Sequence, residues 1–102
     1  MSMKFVWFFE FNPEDAEKVS ERNRALDIDI EKDPGSFPKL HPSHMTGLCK
    51  GFRIVEADSE EQLIRLAMHF YPYESWEFKP IFEGAKVSET WRKMKSAGFS
   101  RS

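Results

Sequence analysis

The stretch KFVWFFEF, Lys4 to Phe11, constrains the fold more than any other part of the chain. With the two-residue period of a strand, Phe5, Trp7, Phe9 and Phe11 share one face. Lys4, Val6, Phe8 and Glu10 share the other. The first face is wholly aromatic. The second is apolar in the middle and charged at both ends. Such a strand needs cover on both sides, and a few helices of the same chain supply only one.

The rest of the sequence gives an order of elements. Asn12-Pro13 ends the first strand, with Asn as N-cap, Pro at the first helical position and Glu14 and Asp15 in the first turn. The helix is expected to run to about Leu26 on a thin apolar stripe of Ala16, Val19 and Leu26, interrupted by Asn23. Asp27 to Ser43 reads as a long irregular loop, with a strong turn signal at Asp33-Pro34-Gly35. A short edge strand is expected between Leu40 and Leu48, broken by Pro42. Lys50 to Ala57 reads as a strand with Phe52 and Ile54 on one face and Arg53 and Val55 on the other. Ser59-Glu60-Glu61-Gln62 has the form of a capping box. It opens a helix with Leu63, Ile64, Leu66, Ala67 and Phe70 on its apolar face, which ends before Tyr71-Pro72. Trp76 to Glu83 is a last strand, placed at an edge or bulge by Pro80. Ala85 to Ser96 is expected to be helical, with Val87, Trp91 and Met94 on one stripe.

The first six elements read βαββαβ, the ferredoxin-like order: an α+β sandwich with a four-stranded antiparallel sheet and two helices on one face. The boundaries are residues 1–83 for this domain and 84–102 for a C-terminal helix and basic tail. That tail holds Lys86, Arg92, Lys93, Lys95 and Arg101 against Glu89 alone, so the remainder is net acidic.

Composition removes several classes of function. A chain of 102 residues with 40% hydrophobic and 31% charged residues is one ordinary globular domain, not a disordered one. A net charge of -2 gives no general pull toward nucleic acid or anionic lipid. Cys49 is the only cysteine, so no intramolecular disulfide forms. Neither a signal peptide nor a membrane-spanning run is read, and a cytoplasmic location is expected.

Four places are candidates for chemistry. Lys50 to Ala57 partly matches the RNA-recognition pattern K/R-G-F/Y-G/A-F-V-x-F/Y, but Ile54 and Ala57 stand where stacking aromatics belong, so nucleic acid is disfavoured. His41-x-x-His44 with Cys49 could approach a zinc site, but the two histidines fall on opposite faces of a strand and no metal is expected. His69, on the second helix near solvent, is assigned no role. The third place is the uncovered sheet face, read to carry Phe8, Glu10, Arg53, Val55 and Lys79 with His44 nearby. There Arg53 could hold a carboxylate and Glu10 or His44 could act as base. The bland alternative is a cross-strand ion pair of Arg53 with Glu10 or Glu77. The fourth place is the Val87, Trp91, Met94 stripe, which packs either on its own protomer or on a second copy.

The chain resembles an uncharacterised prokaryotic family, a domain of unknown function. The resemblance rests on F-x-x-x-E-x-D (Phe52, Glu56, Asp58), an amphipathic helix, and the strand Trp76-Glu77-Phe78-Lys79-Pro80-Ile81. At the N-terminus F-x-P-x-D-A is matched by Phe11, Pro13, Asp15 and Ala16. It covers about residues 3–83; the His41 to Thr46 region departs, and the tail after Gly84 reads as an addition. The resemblance implies a dimeric α/β barrel, in which two sheets face each other. It implies no catalytic residue and no cofactor. The expectation is a homodimer through the open sheet face, with a small-molecule ligand bound or transformed there. The alternative is a non-catalytic dimerisation or ligand-sensing module.

Overall fold

The computed structural model describes residues 2–98, so Arg101 of the basic tail lies outside the described residues. Five strands and three helices follow one another as β1 (Met3–Phe11), α1 (Ala16–Lys32), β2 (Lys39–Leu40), β3 (His44–Met45), β4 (Lys50–Ala57), α2 (Glu60–Phe70), β5 (Glu74–Ile81) and α3 (Gly84–Ser96). The strands form one antiparallel sheet in the order β2-β4-β1-β5, with β3 also paired to β4. The short pieces β2 and β3 together make one edge strand, broken at Pro42 as expected. β5 is the other edge, which tolerates Pro80.

Two boundaries differ from the sequence reading. Helix α1 runs on to Lys32, through six residues expected to be loop. Its stripe continues from Leu26 to Ile30 at the i+4 spacing, while Asp27 and Asp29 fall on other sides. Pro34 is what stops it. Strand β5 begins at Glu74 rather than Trp76.

β1 is central, and its register sorts the side chains of the sheet. Trp7 lies opposite Arg53 on β4 and Phe78 on β5; Phe5 lies opposite Val55 and Pro80. Directly opposed residues share a face. Helices α1 and α2 cover this face through a core of Trp7, Val19, Leu26, Val55, Leu66 and Phe70, with Phe5, Phe9 and Phe78 packed against it. Burying Trp7 and Phe70, each 2% exposed, takes roughly 150–250 Å² per ring out of water, or about 4–6 kcal/mol apiece.

The expected capping box forms with one change of partner. Ser59 Oγ accepts from Gln62 N at 3.3 Å, and Gln62 Oε1 reaches back to accept from Asp58 N at 2.7 Å. The buried Gln62 also donates through Nε2 to Gly35 O at 3.0 Å, tying α2 to the turn after α1. His69, expected near solvent, is instead largely buried and meets Asp29 of α1 at 3.1 Å. Ile64, expected inside, is exposed. Along α3, Val87 and Met94 are exposed.

Candidate functional site

The uncovered face of the sheet carries Lys4, Val6, Phe8 and Glu10 from β1 and Lys50, Phe52, Ile54 and Glu56 from β4. β5 adds Ser75, Glu77, Lys79 and Ile81. Phe8, Glu10, His44 and Lys79 therefore lie where the sequence placed them. The Phe8 and Phe52 ring centroids are 6.3 Å apart, His44 stacks on Phe52 at 5.4 Å, and Lys79 Nζ is 5.8 Å from the Phe8 ring centre.

Arg53 and Val55 do not belong to that face. Pairing of Trp7 with Arg53 and Phe5 with Val55 puts both beneath the helices, and Val55 is fully buried. Phe52 and Ile54 take the open side instead. No ion pair of Arg53 with Glu10 or Glu77 forms among the described residues, and Glu77 pairs with Lys79 at 3.3 Å. His41, His44 and Cys49 also separate: His41 Nε2 contacts Glu56 Oε2 at 2.7 Å, while the carbonyl of Cys49 accepts from Phe11 N. Among the described residues no three His, Cys, Asp or Glu side chains are grouped to hold a metal ion.

The displaced Arg53 leads to a different site. A cavity of about 220 Å³ lies between the sheet and α1. Trp7, Phe9 and Phe11 form its aromatic floor, and Ala16, Val19, Ser20 and Asn23 line it from above. Asn23, which interrupts the apolar stripe of α1, is thus a cavity residue. Ser43 and Met45 border it from the broken edge strand, Phe70 from α2, Arg53 from β4 and Glu74 from β5. Gly51 lets that edge strand approach: a Cβ there would collide with the His44 carbonyl and lie 3.0 Å from Cζ of Phe9.

Three polar groups of the cavity wall are under-used by the protein. Arg53 Nε donates to the His41 carbonyl at 2.7 Å, which fixes the guanidinium. Its other four N–H donors find no acceptor among the described residues. Glu74 is 7% exposed, and its Oε1 is buried without a hydrogen-bond partner among the described residues. The indole Nε1 of the buried Trp7 is likewise unpartnered. The two buried, unpartnered atoms, Glu74 Oε1 and Trp7 Nε1, are of a kind that is costly and rare in folded proteins.

The electrostatics follow from burial. Loss of water raises the Glu74 pKa to about 7, with the Arg53 charge pulling weakly the other way. Burial also lowers the Arg53 pKa, against the opposing charges of Asp27 and Glu74. The pair acts through space, since no ion pair within 4.0 Å joins them among the described residues. A carboxyl that changes charge near neutrality beside a fixed guanidinium is the arrangement of an acid-base or anion-binding site. The sequence reading missed Glu74 by starting β5 two residues late. Extending the Trp76, Phe78 alternation back one step would have put it on the buried face.

A helix-covered antiparallel α+β sheet with a partly open cavity under α1, largely apolar and holding one arginine and one glutamate, is the class of protein defined by this fold and site. Residues 3–95 match the family described as a domain of unknown function, DUF3303, and the chain belongs to that family. The match takes in nearly all of α3, so the segment after Gly84 is part of the family's domain rather than an addition. Neither the curated proteins nor the solved structures contain a match to the chain.

Proposed function

We propose that the protein binds a small organic molecule in the cavity beneath α1. One observation carries this reading: the free fork of Arg53, the buried carboxyl of Glu74 and the indole N–H of Trp7 all belong to the wall of a single cavity. A ligand bridging them would give an acceptor to the half-buried fork of Arg53 and partners to two buried polar atoms. The volume of about 220 Å³ suits a molecule with one ring or its equivalent, since a cavity of about 150 Å³ already admits benzene.

The open face supports a second element of the reading, a homodimer in a ferredoxin-like, dimeric α/β-barrel arrangement. The strand order has the second long connection returning to the outer side of β1, as the split βαββαβ pattern requires. Phe8, Phe52, Val6, Ile54 and Ile81 make an apolar centre, and three lysines and three glutamates alternate around it on β1, β4 and β5. Balanced charge suits a second copy related by a two-fold axis better than a phosphate backbone.

Native mass spectrometry of freshly purified protein tests both elements. The expected species is a dimer carrying a small-molecule adduct. Arg53→Met should lose the adduct, and Phe8→Glu should lose the dimer. A monomer at micromolar concentration overturns the assembly. Bare protein whose Trp7 indole N–H resonance is unmoved by a panel of small acids and amides overturns the site.

A further inference from the structure

We propose that the cavity takes up a small monocarboxylate together with one proton, the carboxylate on the fork of Arg53 and the proton on Glu74. The inference rests on the cavity being a ligand site and goes on to name the ligand class and its linkage to pH.

The ligand class follows from the wall. Among the described residues, the only titratable side chains lining the cavity are Arg53 from β4 and Glu74 from β5. One fixed guanidinium with unused donors is matched by one carboxylate, in the bidentate geometry that arginine favours. A dianion would leave a charge unmatched beside Glu74. The floor of Trp7, Phe9 and Phe11 and the side wall of Phe70 ask for a flat, apolar body.

The proton follows from the second acid. Ionised, Glu74 competes with the ligand for the field of Arg53 and repels its carboxylate. Protonated, it loses that charge and gains an O–H, so it donates to the ligand instead. Other charges act from outside the cavity. Asp27 on α1 bears on Arg53, and Arg22 on α1 lies over the ring of Tyr73, 5.7 Å from its centre. β1, α2 and the broken edge strand contribute no titratable group to the wall. Uptake of the carboxylate and uptake of the proton are therefore coupled, and each favours the other.

With Glu74 titrating at about 7, the binding-competent fraction is about nine-tenths at pH 6 and about one-tenth at pH 8. The dissociation constant of a carboxylate should then rise about tenfold between those values.

The test uses benzoate as probe and benzamide as its neutral counterpart, titrated calorimetrically into the full chain at pH 6, 7 and 8. Benzoate should bind about tenfold more weakly at pH 8 than at pH 6, while benzamide should change little. At pH 8, two buffers of different ionisation heat should report uptake of about one proton per benzoate. Glu74→Gln should bind benzoate equally at all three pH values with no proton uptake. Arg53→Lys, which keeps the charge and loses the fork, should weaken benzoate and spare benzamide. Benzoate affinity that is flat or rises with pH overturns the proposal, as does loss of benzoate in Glu74→Gln, provided that the Trp7 indole N–H still shifts with probe. If neither probe moves that resonance, the cavity is not a ligand site and the broader reading falls as well.

Discussion

Glu74→Gln should stabilise the protein at pH 8 and leave it nearly unchanged at pH 4. The glutamine keeps the shape of the protonated acid but cannot ionise. In the folded chain the carboxyl titrates at about 7, against an ordinary value of 4.5. A carboxyl with a raised folded-state pKa stabilises the fold fully below its unfolded value, and that contribution disappears as pH rises through the folded value. The loss therefore develops between pH 4.5 and about 7 and is flat above. A displacement of this size corresponds to about 3 kcal/mol at 1.36 kcal/mol per pH unit, an upper figure because water reaches one side of the cavity. For a chain of about 100 residues that amounts to roughly 10–20 °C in Tm. Urea or thermal unfolding of both proteins at unit steps from pH 4 to pH 8 measures the difference directly. Parallel stability curves at all pH values, or a variant less stable than the parent at pH 8, would refute the argument that burial governs this carboxyl.

Two further predictions concern the frame of the site. Gly51→Ala forces a methyl group against the His44 carbonyl and the Phe9 ring; chemical denaturation should show a loss of about 3 kcal/mol, the upper end for overpacking. Gln62→Ala should cost about 1–3 kcal/mol, because it removes two part-buried hydrogen bonds, one from the Asp58 N–H and one to the Gly35 carbonyl. Ser59→Ala, which removes only the cap to Gln62, should cost about 1 kcal/mol in the same assay.

The reversed position of Arg53 shows how far sequence can reach into this molecule. β1 was legible because its two faces differ sharply: four aromatics on one, charged ends on the other. That contrast also placed Phe8 and Glu10 on the open side, and the alternation of Trp76 and Phe78 with Glu77 and Lys79 did the same for Lys79 on β5. β4 has no such contrast. Phe52 and Ile54 are more apolar than Arg53 and Val55, so intuition about hydrophobicity puts them inside. Two weaker signals point the other way. Lys50 and Glu56 are in phase with Phe52 and Ile54, repeating the charged-ended pattern of Lys4 and Glu10 on β1. Gly51 and Ala57 are in phase with Arg53, and small residues belong where other chain segments press close; both are buried. What overrides hydrophobicity is register. β4 must pair with β1 along its whole length, and a one-residue slip would exchange every side chain between faces. The chain accepts a guanidinium beneath its helices because the His41 carbonyl, Asp27 and Glu74 partly compensate it. Glu74 is accepted because it can stay neutral up to about pH 7. Each of these two residues reads, by itself, as a surface charge. Only pairing both β4 and β5 to β1 puts them on the same covered face, one opposite Trp7 and the other opposite Phe11. The site is thus a property of the sheet register, and no local motif could have announced it.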